Sequence, residues 1–138
     1  MIPNSFLGLI FLMQNCTSAI DGTHIPITIA QEKAPPYRNR KGTLSQNMMC
    51  TCDFDLKFTF ISCGWEGSAS DVGVLRSARN KGFNVPVGKF YLVDAGYANT
   101  PTFIAPYRGV RYPNEVESID GNTLRDQIAH QMWAAYNN

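Results

Sequence analysis

Two extended runs, residues 48–54 and 57–65, meet across Asp53-Phe54-Asp55, and this pairing constrains the fold more than any other feature. The second run is rich in Phe, Thr and Ile, which suit a pleated, half-buried surface, while the aspartates supply turn chemistry. A hairpin is therefore expected here. The segment that follows, Glu66-Gly67-Ser68-Ala69-Ser70, reads as a loop ending in helix-start chemistry. Ser70 or Asp71 can cap, Val72, Val74, Leu75 and Ala78 supply a packed face, and Gly82 and Pro86 close the helix.

The rest of the chain extends this pattern. Residues 17–29 read as a strand, a turn near Asp21-Gly22, and a second extended piece limited by Pro26. Residues 31–43 are polar, with Pro35-Pro36 and Asn39-Arg40-Lys41-Gly42, and read as a surface loop. Residues 89–93 form a short apolar strand ending at Asp94-Ala95-Gly96-Tyr97. Residues 98–113 carry prolines and a basic-aromatic cluster. Residues 122–136 read as an amphipathic helix capped by Asn122 or Thr123, with a stripe of Leu124, Ile128, Ala129, Met132, Trp133 and Tyr136. Strands, hairpin, helix, strand and final helix make a mixed α/β chain.

A length of 138 residues suffices for one domain with a modest core. The formal net charge of +1 excludes the basic footprint of a free-standing DNA-binding module, so nucleic-acid contact would need a local patch. No repeat or low-complexity tract is present. The apolar run at residues 6–13 is far shorter than the roughly 20 residues that span a bilayer, and no Lys or Arg precedes it. It reads as a buried helix or strand, with a signal peptide as the alternative; no membrane association is expected. Cys16, Cys50, Cys52 and Cys63 lack the density of a disulfide scaffold. Cys50, Cys52, Cys63 and His24 could be imagined around zinc, but no Cys-x2-Cys knuckle exists, and small buried thiols in a reduced compartment are the expectation.

Two acids stand out by position. Asp21 precedes Gly22 at the end of an apolar run, and Asp94 precedes Ala95-Gly96 at the end of another. Such aspartates can face one another across neighbouring strands. Paired carboxylates stay ionised together only with a cation between them, and hard divalent ions suit oxygen ligands. Two ions about 4 Å apart can activate water and stabilise a leaving oxygen in phosphodiester cleavage. Asp71 is a third candidate. The plainer alternatives are a helix cap for Asp71 and turn formation for Asp21 and Asp94.

The run Ala19-Ile20-Asp21-Gly22-Thr23-His24-Ile25 resembles the opening motif of the PIF/Harbinger-type transposase nuclease family. Asn39-Arg40-Lys41-Gly42 with Ser45-Gln46-Asn47 resembles its next block, as do Cys52-Asp53-Phe54-Asp55-Leu56 and Gly64-Trp65-Glu66-Gly67-Ser68-Ala69-Ser70-Asp71. Leu92-Val93-Asp94-Ala95-Gly96-Tyr97 and Pro106-Tyr107-Arg108-Gly109-Val110-Arg111-Tyr112 complete the series, in the family's order, over residues 16–113. The resemblance implies a truncated ribonuclease H-like fold, a mixed sheet with flanking helices. It also implies a DDE site with a divalent cation, Mg2+ or Mn2+, acting on DNA, and nuclear residence. By that resemblance Asp21 and Asp94 are the first two catalytic acids, Asp71 joins them at the metal, and Arg40, Lys41, Arg108 and Arg111 contact phosphate.

The chain also departs from the family. The helix-borne catalytic glutamate, expected some way past the Arg-Gly-Val-Arg-Tyr block, is absent. Glu115 and Glu117 follow Asp94 too closely to replace it, in a Pro/Asn-containing loop. Residues 114–138 read instead as a loop and a helix like the C-terminal tail of plant members. The residues before Cys16 do not resemble the family's DNA-reading part. Two expectations follow. One is a metal-dependent endonuclease impaired by loss of the third carboxylate. The other is a non-catalytic interaction module or the remnant of a decayed gene, exposing an apolar sheet face unless the terminal helix docks there or binds a protein partner.

Overall fold

The computed structural model describes residues 13–107 and 119–136, so most of the 6–13 run, Arg108, Arg111, Glu115 and Glu117 lie outside the described residues. The strands are β1 (Cys16–Pro26), β2 (Ser45–Cys52), β3 (Phe58–Glu66), β4 (Phe90–Leu92) and β5 (Phe103–Ile104). The helices are α1 (Asp71–Asn80) and α2 (Ile119–Tyr136), with 3-10 turns at Gln31–Lys33 and Pro35–Tyr37. The strands form one sheet in the order β3-β2-β1-β4-β5. β2 and β3 are antiparallel, whereas β4 runs parallel to both β1 and β5. The mixed α/β class expected from the sequence is the class observed. Among the described residues no helix is long and apolar enough to cross a membrane.

The chain divides into two compact units, Ile20–Asn84 and a second made of Met1–Ala19 with Val85–Asn138. In the first, Asp53 organises the hairpin: its Oδ1 accepts the backbone N–H groups of Asp55 at 3.0 Å and Lys57 at 2.9 Å. Leu56 takes the left-handed conformation that closes the turn, at φ 62°. Val74, Leu75 and Ala78 of α1 are buried, and Phe83, just past the helix, meets Phe60 of β3 at 4.7 Å between ring centres. In the second unit the core is Cys16, Phe90, Ile104 and Ile128, flanked by Met13, Leu92 and Leu124.

Several expectations need correction. Asp21-Gly22 makes no turn, because β1 runs unbroken from Cys16 to Pro26. An Asp-Gly pair favours reversal only locally. Here β1 is a strand within the sheet, and its ladder satisfies more backbone groups than a turn would. β5 went unread, since two residues between Pro101 and Pro106 carry no periodicity, yet Phe103 and Ile104 are buried. α2 starts at Ile119, so Asn122 and Thr123 lie within the helix and are not caps. Its stripe packs only in part: Ile128 is buried, whereas Met132 and Trp133 are 55% and 68% exposed. β4 and β5 are 3 and 2 residues long, and their Phe90, Leu92 and Ile104 pack with Leu124 and Ile128. Among the cysteines, Cys16 and Cys50 are buried, but Cys63 is exposed on edge strand β3.

Candidate functional site

Strand alternation decides where the first carboxylate points. In β1, Ser18 and Ile20 are buried while Ala19, Asp21 and Thr23 are exposed, so odd and even positions serve opposite faces. Gly22 belongs to the even face, and a Cβ built on it would lie 2.6 Å from Asp71 Oδ1. Asp21 therefore projects from the other face. Its Oδ1 accepts the N–H of Gly22 at 2.8 Å. Cys50 of β2 has its thiol pKa raised, first by burial and then by the negative charge of Asp21, with Cys52 and Cys63 adding smaller contributions.

Asp71 opens α1 on the even face. Ser70 performs the capping, accepting the Gly73 N–H at 3.2 Å, so the Asp71 carboxylate is released from that duty. Asn47 of β2 holds it instead. The Asn47 amide donates to Asp71 Oδ1 at 2.9 Å and to the Ala69 carbonyl at 3.0 Å, and Asn47 is 1% exposed. The position also suits a negative charge, being the first turn of a helix. Nearby, the ring Nδ1 of His24 pairs with the Ser45 hydroxyl at 2.9 Å.

Asn39 builds the tip that carries Arg40 and Lys41. Its Oδ1 accepts the N–H groups of Lys41 at 3.0 Å and Thr43 at 3.1 Å, and Gly42 adopts φ +82°, which favours glycine. Arg40 and Lys41 are both exposed, so the tip presents two cations to solvent.

Asp94 belongs to the other unit. The backbone leading to it is fixed by the Val93 N–H donating to the Ile104 carbonyl at 3.0 Å. Asp94 is exposed, and its Oδ1 accepts the Gly96 N–H at 2.8 Å. Tyr97, 2% exposed, anchors the turn, its N–H donating to the Asp94 carbonyl at 3.3 Å.

Sequence reading missed the buried asparagines. Asn99, 0% exposed, accepts the Ala105 N–H at 2.9 Å and donates to Asn122 Oδ1 at 3.1 Å. Arg125 lies over the Tyr107 ring at 4.4 Å, and the Tyr107 hydroxyl donates to Asp126 at 2.5 Å. The available signal for Asn47 was its place in the Ser45-Gln46-Asn47 block; for Asn99 it was its closeness to Asp94-Ala95-Gly96-Tyr97. Among the described residues no three His, Cys, Asp or Glu side chains group as a metal ion would need.

Comparison with known proteins gives these positions a context. The chain is 26% identical over 115 residues to an Arabidopsis thaliana protein described as Protein ALP1-like, covering 70% of this chain and 28% of that relative. The chain thus spans well under half the length of the curated relative it matches. No solved structure matches. The DDE superfamily endonuclease family matches residues 20–133, a span that holds Asp21, Asp71 and Asp94 and runs past residue 113 into α2. The chain belongs to the DDE superfamily endonuclease family.

Proposed function

We propose that this is a transposase-derived nuclease-like domain of the PIF/Harbinger kind, with a ribonuclease H-like fold, that acts on DNA phosphodiesters with Mg2+ or Mn2+. The observation that carries the reading is the family match over residues 20–133. The mixed sheet with flanking helices agrees with it. Asp21 and Asp94 are the catalytic carboxylates in this reading. Asp21 lies within β1, and Asp94 follows the end of β4 by two residues.

Carboxylate oxygens are the donors a hard cation takes. Asp21 and Asp94 are exposed, and each commits Oδ1 to a nearby backbone N–H, through Gly22 and Gly96. For neither is a second hydrogen bond recorded among the described residues, so Oδ2 of each is open to an ion. Asp71, which the resemblance also brings to the metal, has Oδ1 engaged by Asn47. A bound divalent ion lowers the pKa of water and stabilises the departing oxygen. The protein's part is to supply the carboxylate ligands and to bring phosphate near Arg40, Lys41, Arg108 and Arg111. Nuclear residence belongs to the same reading.

Activity is weakened in this proposal, because the site lacks the family's third carboxylate and thus one fixed ligand and one negative charge. The test is nicking of supercoiled plasmid with Mg2+ or Mn2+. Slow, metal-dependent nicking that disappears in Asp21→Ala and Asp94→Ala is expected; no cleavage with either ion sinks the enzymatic reading.

A second reading, a non-catalytic interaction module, is favoured by the exposed Phe54, Leu56, Phe58 and Ile61 around the β2–β3 hairpin and by Met132 and Trp133 on α2. Stable folding without cleavage, together with concentration-dependent association, would select it.

A further inference from the structure

We infer that Asp71 is a positioning residue which sets the backbone of β1 at Gly22, and so the aim of Asp21 on the opposite face, without ligating an ion itself. This rests on the reading of Asp21 as a metal-binding carboxylate. Three observations carry it. The Asp71 carboxylate is held from β2 by the buried amide of Asn47, whose Nδ2 also ties down Ala69, two residues before the helix. It packs onto Gly22 so closely that a Cβ there would stand 2.6 Å from Oδ1 and 3.0 Å from Cγ. Strand alternation sends Asp21, the preceding residue, to the other face.

The arrangement works as a latch. Helix α1 presses a carboxylate into the notch left by the absent side chain of Gly22, and Asn47 fixes the depth of that press. Displacing β1 by even a fraction of an ångström at Gly22 swings the neighbouring Asp21 carboxylate, which has no other described side-chain partner. A hydrogen-bond acceptor suffices at position 71; a negative charge is not required. This separates the latch from a ligand, because an amide oxygen can replace the acceptor but is a poor substitute for a carboxylate at a metal.

The experiment combines Mn2+ titration, read as loss of free-ion electron paramagnetic resonance signal, with thermal denaturation of the metal-free protein. Asp21→Asn is expected to weaken Mn2+ binding at least tenfold, while Asp71→Asn stays within about twofold of the parent protein. Gly22→Ala is expected to weaken Mn2+ binding severalfold, and Gly22→Ala/Asp71→Ala to recover most of that loss. In denaturation, Gly22→Ala should lower Tm by about 5 °C in the parent and in Asp71→Asn, and by less than half as much in Asp71→Ala. A loss in Asp71→Asn equal to that in Asp21→Asn overturns the inference and makes Asp71 a ligand. If the parent protein binds no Mn2+, the metal reading of Asp21 fails. The latch is then judged by denaturation, and an equal Gly22→Ala penalty in the parent and Asp71→Ala backgrounds overturns it.

Discussion

The two units fix their helices by different means. In Ile20–Asn84, α1 combines an apolar face of Val74, Leu75 and Ala78 with a buried polar anchor, Asn47 to Asp71, at its first turn. In the other unit, α2 has one apolar patch, Leu124 and Ile128, on the core of Cys16, Phe90 and Ile104. Near its start Asn99 bonds to Asn122 and Tyr107 to Asp126, while Met132 and Trp133, farther along, are exposed. A helix held at both an apolar face and a buried polar point has one register. Exposed apolar side chains such as Met132 and Trp133 are surface that suits a contact with something else.

The comparison breaks most visibly at the core of the second unit. Phe90→Ala should cost about 3–5 kcal/mol in urea denaturation, because it empties the centre of the apolar cluster that Ile128 of α2 joins. Hydrogen exchange should rise in β4, β5 and α2 before it rises in α1; uniform loosening would mean that the units do not unfold separately. In the first unit, Asn47→Ala should cost about 2–3 kcal/mol, since it strips donors from both the Asp71 carboxylate and the Ala69 carbonyl. A near-neutral result there would show the polar anchor to be ornamental.

Ser70→Ala should cost about 1 kcal/mol, removing the acceptor for Gly73 while leaving Asp71 in place, and melting curves can resolve it. The smallest effect is expected from Tyr107→Phe. The Tyr107 pKa is raised mainly because Asp126 accepts its hydroxyl proton, with burial and the Asp126 charge adding to this and Arg125 opposing it. The neutral form is favoured in the folded state, so the stabilisation is full below the ordinary tyrosine pKa of about 10 and fades as pH rises through the raised value. Solvent screening keeps it under about 1 kcal/mol. The difference between Tyr107→Phe and the parent should therefore vanish in alkaline melts; a difference that grows with pH would reverse the assignment.

Much of the local structure was legible because its causes are local. Asp53 and the Phe/Thr/Ile run predicted the hairpin, and Ser70 followed by Val74, Leu75 and Ala78 predicted α1, since turn and cap chemistry act within a few residues. What was misread depended on partners distant in the chain. Asp21-Gly22 has the composition of a turn, and only neighbouring strands make it extended. Phe103-Ile104 is too short to show a period and becomes a strand because β4 is beside it. Nothing in local sequence marks Asn47 and Asn99 as buried, and their burial is what gives them structural weight.

The amino-acid order alone determined that this chain is mixed α/β, where its hairpin and first helix lie, and which aspartates stand beside small residues, because these rest on propensity, periodicity and capping over short spans. The tertiary structure decided which face each carboxylate occupies. That depends on β1 remaining a strand through Gly22, so that alternation turns Asp21 one way while Asp71 closes on the glycine from the other.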